Sequence, residues 1–250
     1  IEDIQRMQNQ EFFRINSRDS HPGTDDLGGS HMAFNKNQGN VQRLFLMEGY
    51  NPLRLKRQLV NRKEKTLDIL NIKYALQVDE QKRSMGFVER NGFCPRCRMV
   101  YDYKVEADEN KILPDLYSDS FNHKTGVILE EKPYFEASAE TIADSSWNCR
   151  IVSYSLNSIT IDVQTPRTGL LILSEIHYPE WKAKVDGAGV PLYRADYALR
   201  AIPVNPGRHN VTCYYDPETF RKGLHISLVA LALTIALVFT GFAIQRKKPL

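Results

Sequence analysis

The chain has 250 residues, 42% of them hydrophobic and 25% charged, with a formal net charge of +3. That length holds a sizeable buried core, in one large domain or two small ones. So slight a charge leaves no electrostatic footprint for nucleic acid. The chain opens at Ile1 with neither a methionine nor a signal sequence, as expected for a piece of a longer protein.

Residues 11–15 (EFFRI) read as a short strand. Residues 16–40 are rich in Ser, Asp, Gly, Asn and His, the chemistry of a long loop. His21, Asp25, Asp26 and His31 lie in it, but no pair has zinc-motif spacing, so neither a metal nor another cofactor is expected. Gly49-Tyr50-Asn51-Pro52 turns the chain into LRLKRQLVNRKEKTLDIL. There Leu55, Leu59 and Val60 fall at helical spacing, while Arg54, Lys56, Arg57, Arg62, Lys63 and Lys65 make the rest basic. Such charges form a solvated face. Beside a membrane, Arg54, Lys56 and Arg57 could instead meet lipid headgroups or a phosphate-bearing substrate.

Residues 71–76 and 99–105 read as strands, 108–120 as a helix and 126–130 as a further strand. Between them, Cys94 and Cys97 form a CxxC in NGFCPRCRMV. A zinc site needs a second ligand pair, and the sequence offers no second CxxC or HxxxH. A redox dithiol wants the motif at the start of a helix, whereas Met99-Val100-Tyr101 continues as a strand. Two readings remain: a strand entrance with an incidental second thiol, or a small disulfide if this region lies outside the cytoplasm.

From residue 150 the pattern changes to short strands at 150–154, 158–164, 169–176, 182–185, 197–204 and 209–216. Ile159, Ile161 and Val163 alternate with polar residues, so that strand buries one face. Asp186-Gly187 is a hairpin turn signature, and Pro206-Gly207 reads as the next such turn. Cys213 alternates with Val211 and Tyr215, as an inward-facing residue does. Tyr178 and Trp181 around Pro179 could stack on a sugar, with Lys182 or Arg200 contacting a phosphate. The plainer alternative is that both aromatics fill the core or its edge. Glu175 and His177, two apart on a strand, would share a face as an acid/base pair or as structural residues. Asp186 is a turn former. A Ser-His-Asp triad, a P-loop and a dinucleotide fingerprint are all missing.

Residues 224–244, LHISLVALALTIALVFTGFAI, contain no Asp, Glu, Lys or Arg. As a helix they span about 30 Å, the thickness of a hydrocarbon core. Arg246-Lys247-Lys248 follows without an acidic neighbour, which places the C-terminus in the cytoplasm and residues 1 to about 220 outside it.

The run SEIHYPEWKAKVDGAGVPLYRADYALRAIPVNPGRHNVTCYYDPETFRKGLHISL resembles the C-terminal end of the YfhO family of bacterial polytopic membrane proteins. The resemblance rests on Tyr178-Pro179-Glu180-Trp181-Lys182-Ala183, Val185-Asp186-Gly187 and Tyr193-Arg194-Ala195-Asp196-Tyr197. It continues through Arg200-Ala201-Ile202-Pro203-Val204 and Asn205-Pro206-Gly207-Arg208-His209. Gly49-Tyr50 and Leu70-Asn71-Ile72-Lys73-Tyr74 extend it more loosely upstream. Glu180 departs from the pattern, standing where the family usually has Gly or Asn. The resemblance implies a GT-C-type glycosyltransferase that moves a sugar from a polyprenyl-phosphate carrier to a cell-envelope glycan or glycolipid acceptor. Its catalytic acid would lie in a membrane region upstream of Ile1, so no catalytic residue is carried onto this chain.

The expected fold is therefore α+β: a mixed α/β region over 1–135, then an antiparallel, jelly-roll-like β-sandwich over 136–220. A transmembrane helix over 224–244 and a basic cytoplasmic tail over 245–250 complete it. The expected setting is the bacterial cytoplasmic membrane, with the lipid bilayer and the upstream membrane region as partners and no nucleic acid. The expected role is accessory or acceptor-positioning rather than catalytic. The alternative is a membrane-anchored carbohydrate-binding or purely structural sandwich.

Overall fold

A computed structural model describes residues 2–18, 33–34, 38–47, 55–59, 63–79, 81, 84–135 and 146–246. Two kinds of strand pattern set its architecture. Strand β8 (Ser158–Thr165) alternates, burying Ile159, Ile161 and Val163 while Asp162 and Gln164 face water. Strands β9 (Gly169–Leu173) and β13 (Leu199–Val204) are buried at every position. A strand covered on both faces has no polar phase to show, so it reads as an apolar run.

These strands belong to two stacked sheets. The five-stranded sheet runs β11-β10-β14-β8-β7, all antiparallel, with β7 (Asn148–Tyr154), β10 (Trp181–Val185), β11 (Ala188–Val190) and β14 (Gly207–Tyr215). The six-stranded sheet runs β4-β9-β13-β12-β6-β5, with β4 (Cys97–Val100), β5 (Asp102–Val105), β6 (Gly126–Leu129) and β12 (Tyr193–Ala195). It is antiparallel except for the β5–β6 pair. Only Tyr101 separates β4 from β5, so the two edges of this sheet are halves of one bent strand. The single strand expected over 99–105 is thus broken at Tyr101, and the break lets the sheet curl round. Strands from either side of residue 135 meet in it.

Between the sheets, Met99, Leu171 and Ile202 meet Ile161, Val163 and Val211 in one apolar core. The opposite face of the six-stranded sheet carries Val100, Leu170, Ile172 and Ala201. It is covered by Leu67 and Ile69 of α3 (Glu64–Ile69) and Ile112 and Leu116 of α4 (Glu109–Tyr117). Helix α4 starts where the Asp108 carboxylate accepts the Asn110 N–H at 3.0 Å, an N-cap that satisfies an otherwise orphan donor. A small third sheet joins β1 (Arg14–Asn16), parallel, to β2 (Ile72–Asp79), and β2, antiparallel, to β3 (Ser84–Glu89). A short helix, α1 (Glu2–Gln10), precedes it, and α2 (Gln38–Gln42) lies beyond the strand.

Turn chemistry separates the expectations that hold from those that change. Asp186 and Gly187 have φ of 51° and 84° and close the β10–β11 hairpin, the geometry a type I′ turn requires. Pro206-Gly207 is not a hairpin turn: it carries the chain from β13 in one sheet to β14 in the other. The basic helix expected over 53–70 is helical only from Glu64, among the described residues, and Leu55 to Leu59 are not helical. After β14 the chain enters α5 (Glu218–Arg246), which is long and apolar enough to cross a membrane and buries none of its apolar stretch against the rest of the chain.

Candidate functional site

The end of the sandwich from which α5 leaves gathers polar side chains from four separate segments. Arg14 comes from β1, Arg96 precedes β4, Tyr154 ends β7, and Glu175 follows β9. The Arg96 Nε donates to Glu175 Oε1 at 2.7 Å and its Nη2 lies 2.5 Å from the same oxygen. Arg14 Nη2 reaches Glu175 Oε2 at 3.3 Å, while its Nη1 donates to the Leu70 carbonyl at 2.9 Å and to Ser174 Oγ at 3.0 Å. The Tyr154 hydroxyl donates to Glu175 Oε1 at 3.0 Å. Phe45 and Tyr154 line the Arg96 guanidinium at 5.0 and 5.6 Å.

Arg200 is the third guanidinium acting on this carboxylate. It is buried on β13, its Nε donating to the Ile176 carbonyl at 2.9 Å and its Cζ lying 3.7 Å from the Trp181 ring. Burial alone would push the Glu175 carboxyl up, yet Arg96, Arg14 and Arg200 together hold it below its ordinary value. The counterpart is Arg14. Burial and the neighbouring Arg96 pull it down to about 10, against the pull of Glu175. One carboxylate thus faces three guanidinium groups, and Nη1 of Arg96 is buried with no hydrogen-bond partner among the described residues. A cluster with more cationic donors than acceptors suits an anion, and its planar guanidinium forks match carboxylate or phosphate oxygens.

Of the residues singled out from sequence, Tyr178, Trp181 and Arg200 come together here. Trp181 and Tyr178 lie 5.8 and 6.4 Å from the Tyr215 ring, and Arg200 stacks beneath Trp181. Trp181 packs against the core between the sheets while Tyr178 stays exposed. Lys182 leaves the group, because alternate strand residues face opposite ways. It pairs with Asp216 at 2.8 Å and Glu218 at 2.5 Å, fastening β10 to the start of α5. Arg54 lies outside the described residues, as do His21, Asp25, Asp26 and His31. Lys56 contacts Glu109 at 3.5 Å, and Arg57 pairs with Glu109 at 2.8 Å and with Glu130. Glu175 and His177 do not form a pair. Strand β9 ends at Leu173, Glu175 turns to the arginines, and His177 Nδ1 faces Arg194 Nη2 at 3.5 Å. Burial, then Arg194 and Arg200, pull the His177 imidazole down to about 4.

Arg14, Arg96 and Tyr154 were not singled out from sequence. Arg14 and Tyr154 stand inside strand-like stretches and Arg96 just before one, a weak signal that does not name their partners. Glu180 has a clearer explanation. Its φ is 71°, the left-handed region that Gly and Asn adopt most easily. Here the side chain compensates, accepting from the Thr219 N–H at 3.0 Å and the Tyr215 hydroxyl at 3.4 Å.

Fold and site together define a two-sheet β-sandwich with helices on one outer face and a terminal helix fit to cross a bilayer. Residues 120–227 match the family model described as bacterial membrane protein YfhO. The match runs from before β6 into α5. "Uncharacterized protein YfhO" of Bacillus subtilis (strain 168) is 24% identical over 134 residues, which is 54% of this chain and 13% of that protein. Over residues 120–227 the chain is thus similar to the YfhO family. It spans a small fraction, 13%, of the length of that relative. No solved structure matches it.

Proposed function

We propose that the chain is the extracytoplasmic C-terminal domain and last membrane helix of a YfhO-like membrane glycosyltransferase. In this reading the whole protein transfers a sugar from a polyprenyl-phosphate carrier to a cell-envelope glycan or glycolipid acceptor. This segment positions the phosphate of the lipid carrier, or the acceptor beside it, and does no chemistry of its own. The observation that carries the reading is the excess of guanidinium over carboxylate at the sandwich end from which α5 departs. A helix crossing the bilayer would hold that end near the outer headgroups, where a lipid-linked phosphate lies. The basic residues Arg246, Lys247 and Lys248 at the far end of α5 support a cytoplasmic C-terminus. Tyr178, exposed beside Trp181, supplies an aromatic face for a sugar.

A second reading has its own observation. Arg14 gives its contacts to Leu70, Ser174 and Glu175, so the cluster would act as a clamp between the N-terminal segment and the sandwich.

Titration of the full chain in detergent with a short-chain polyprenyl phosphate tests both. Saturable binding that weakens at least tenfold in Arg200→Gln, with folding retained, is the expected result. Absence of saturable binding, or unchanged binding in a destabilised variant, would leave the clamp.

A further inference from the structure

Cys97 and Cys149 come from the neighbouring edge strands of the two sheets, β4 and β7. Cys97 pairs in register with Leu173, and Cys149 with Val163. Both side chains enter the apolar core between the sheets. Strands β4 and β7 pack directly against each other, which brings the two thiols to one end of that core. The other two cysteines are placed differently. Cys94 lies outside that core, its backbone N–H donating to the Asp68 carbonyl at 3.0 Å, and Cys213 lies 3.5 Å from the Arg200 Nη1. The second cysteine of the CxxC thus shares its core with a cysteine 52 positions downstream rather than with Cys94.

We propose that Cys97 and Cys149 are an oxidisable pair that closes a disulfide between the two sheets, using a small-molecule or protein disulfide as oxidant. One thiolate of the pair attacks one sulfur of the oxidant, whose S–S bond breaks and releases a first thiolate. The thiolate of the other cysteine then attacks the protein sulfur of the mixed disulfide, forming the Cys97–Cys149 bond and releasing a second thiolate. The two protein protons end on the two released thiols. The cysteine pair loses two electrons and the oxidant gains them. The neighbouring Cys97 thiol and burial push the Cys149 thiol up, so exchange is slow at neutral pH and quickens as pH rises. Once formed, the bond ties β4 to β7 and closes a long loop, which restricts the unfolded chain.

In the cell the bond depends on the extracytoplasmic placement proposed above, because a reducing cytoplasm keeps thiols free. The test separates the two. The reduced full chain, purified in detergent, is incubated with glutathione disulfide at mildly alkaline pH, quenched in acid and denatured. Free thiols are then blocked with N-ethylmaleimide, and the chain is digested without reduction. A peptide joining Cys97 to Cys149 is expected, with Cys94 and Cys213 alkylated. The melting midpoint should rise on the order of 10 °C, and Cys149→Ser should abolish that rise. The linkage itself is read on the unaltered chain, so it does not depend on a variant folding. Alkylated Cys97 and Cys149 after prolonged exposure, or a Cys94–Cys97 link, overturns the pair. Placement is read separately by introducing Leu156→Cys, at an exposed turn, and labelling intact cells with a membrane-impermeant maleimide. Absence of label alongside the bond formed in detergent defeats the placement and upholds the pair. Label with neither bond defeats the pair.

Discussion

Glu175 shows how a single residue organises one end of this molecule. Its carboxylate is surrounded by Arg14, Arg96, Arg200 and Tyr154, and removing the charge would leave the guanidinium groups buried without compensation. Breaking a buried ion cluster by removing one partner costs roughly 3–5 kcal/mol. Glu175→Gln should therefore lower the unfolding free energy by about that amount at pH 7, measured by denaturant titration. The sign of its pH dependence follows from the depressed carboxyl. Stability from Glu175 is fully present above about 4.5, its ordinary value, and is lost as pH falls through the lower folded value. The gap between wild type and Glu175→Gln should thus narrow in acid. A gap that stays constant from pH 7 to pH 3 would mean that the carboxylate charge contributes nothing.

Among the elements, β9 and β13 do most to hold the layers together, since each is buried along its whole length. Leu171 of β9 is fully buried between the two sheets. Leu171→Ala should cost about 2–5 kcal/mol through lost transfer energy and the cavity left behind. A cost near that of an exposed β8 position, such as Gln164→Ala, would contradict the two-sided burial. Strands with alternation or continuous apolar runs were legible in sequence, as was the Asp186-Gly187 turn, because each depends on local chemistry. The partners of those strands were not legible. The bend at Tyr101 sends two halves of one apparent strand to opposite edges of the sheet. Pro206-Gly207 changes sheets with a signature that would equally suit a hairpin. The candidate site was half legible: aromatics beside a proline stand out, but Arg14 and Arg96 lie far apart along the chain, on or just before strands of different sheets, and meet only at Glu175.

At the scale of the whole molecule, α5 dominates. It buries none of its apolar stretch against the sandwich and is long and apolar enough to cross a membrane. Arginine at the centre of such a span costs about 2.5–3.5 kcal/mol per residue. The double variant Leu231→Arg with Ile235→Arg, one turn apart, should shift a large share of the chain from the carbonate-resistant membrane fraction to the soluble one. Retention of both variant and wild type in the pellet would show that other parts of the chain hold it there. Composition alone determined the apolar span, because a run without charges needs no partner to be recognised. The same holds for the strand-rich second half, whereas the left-handed backbone at Glu180 came from the structure. Only the tertiary structure decided that Cys97 shares a core with Cys149, that Lys182 fastens the helix joint, and that three arginines converge on Glu175. Those outcomes depend on which strands become neighbours, a long-range choice made by burying two faces of one sheet at once.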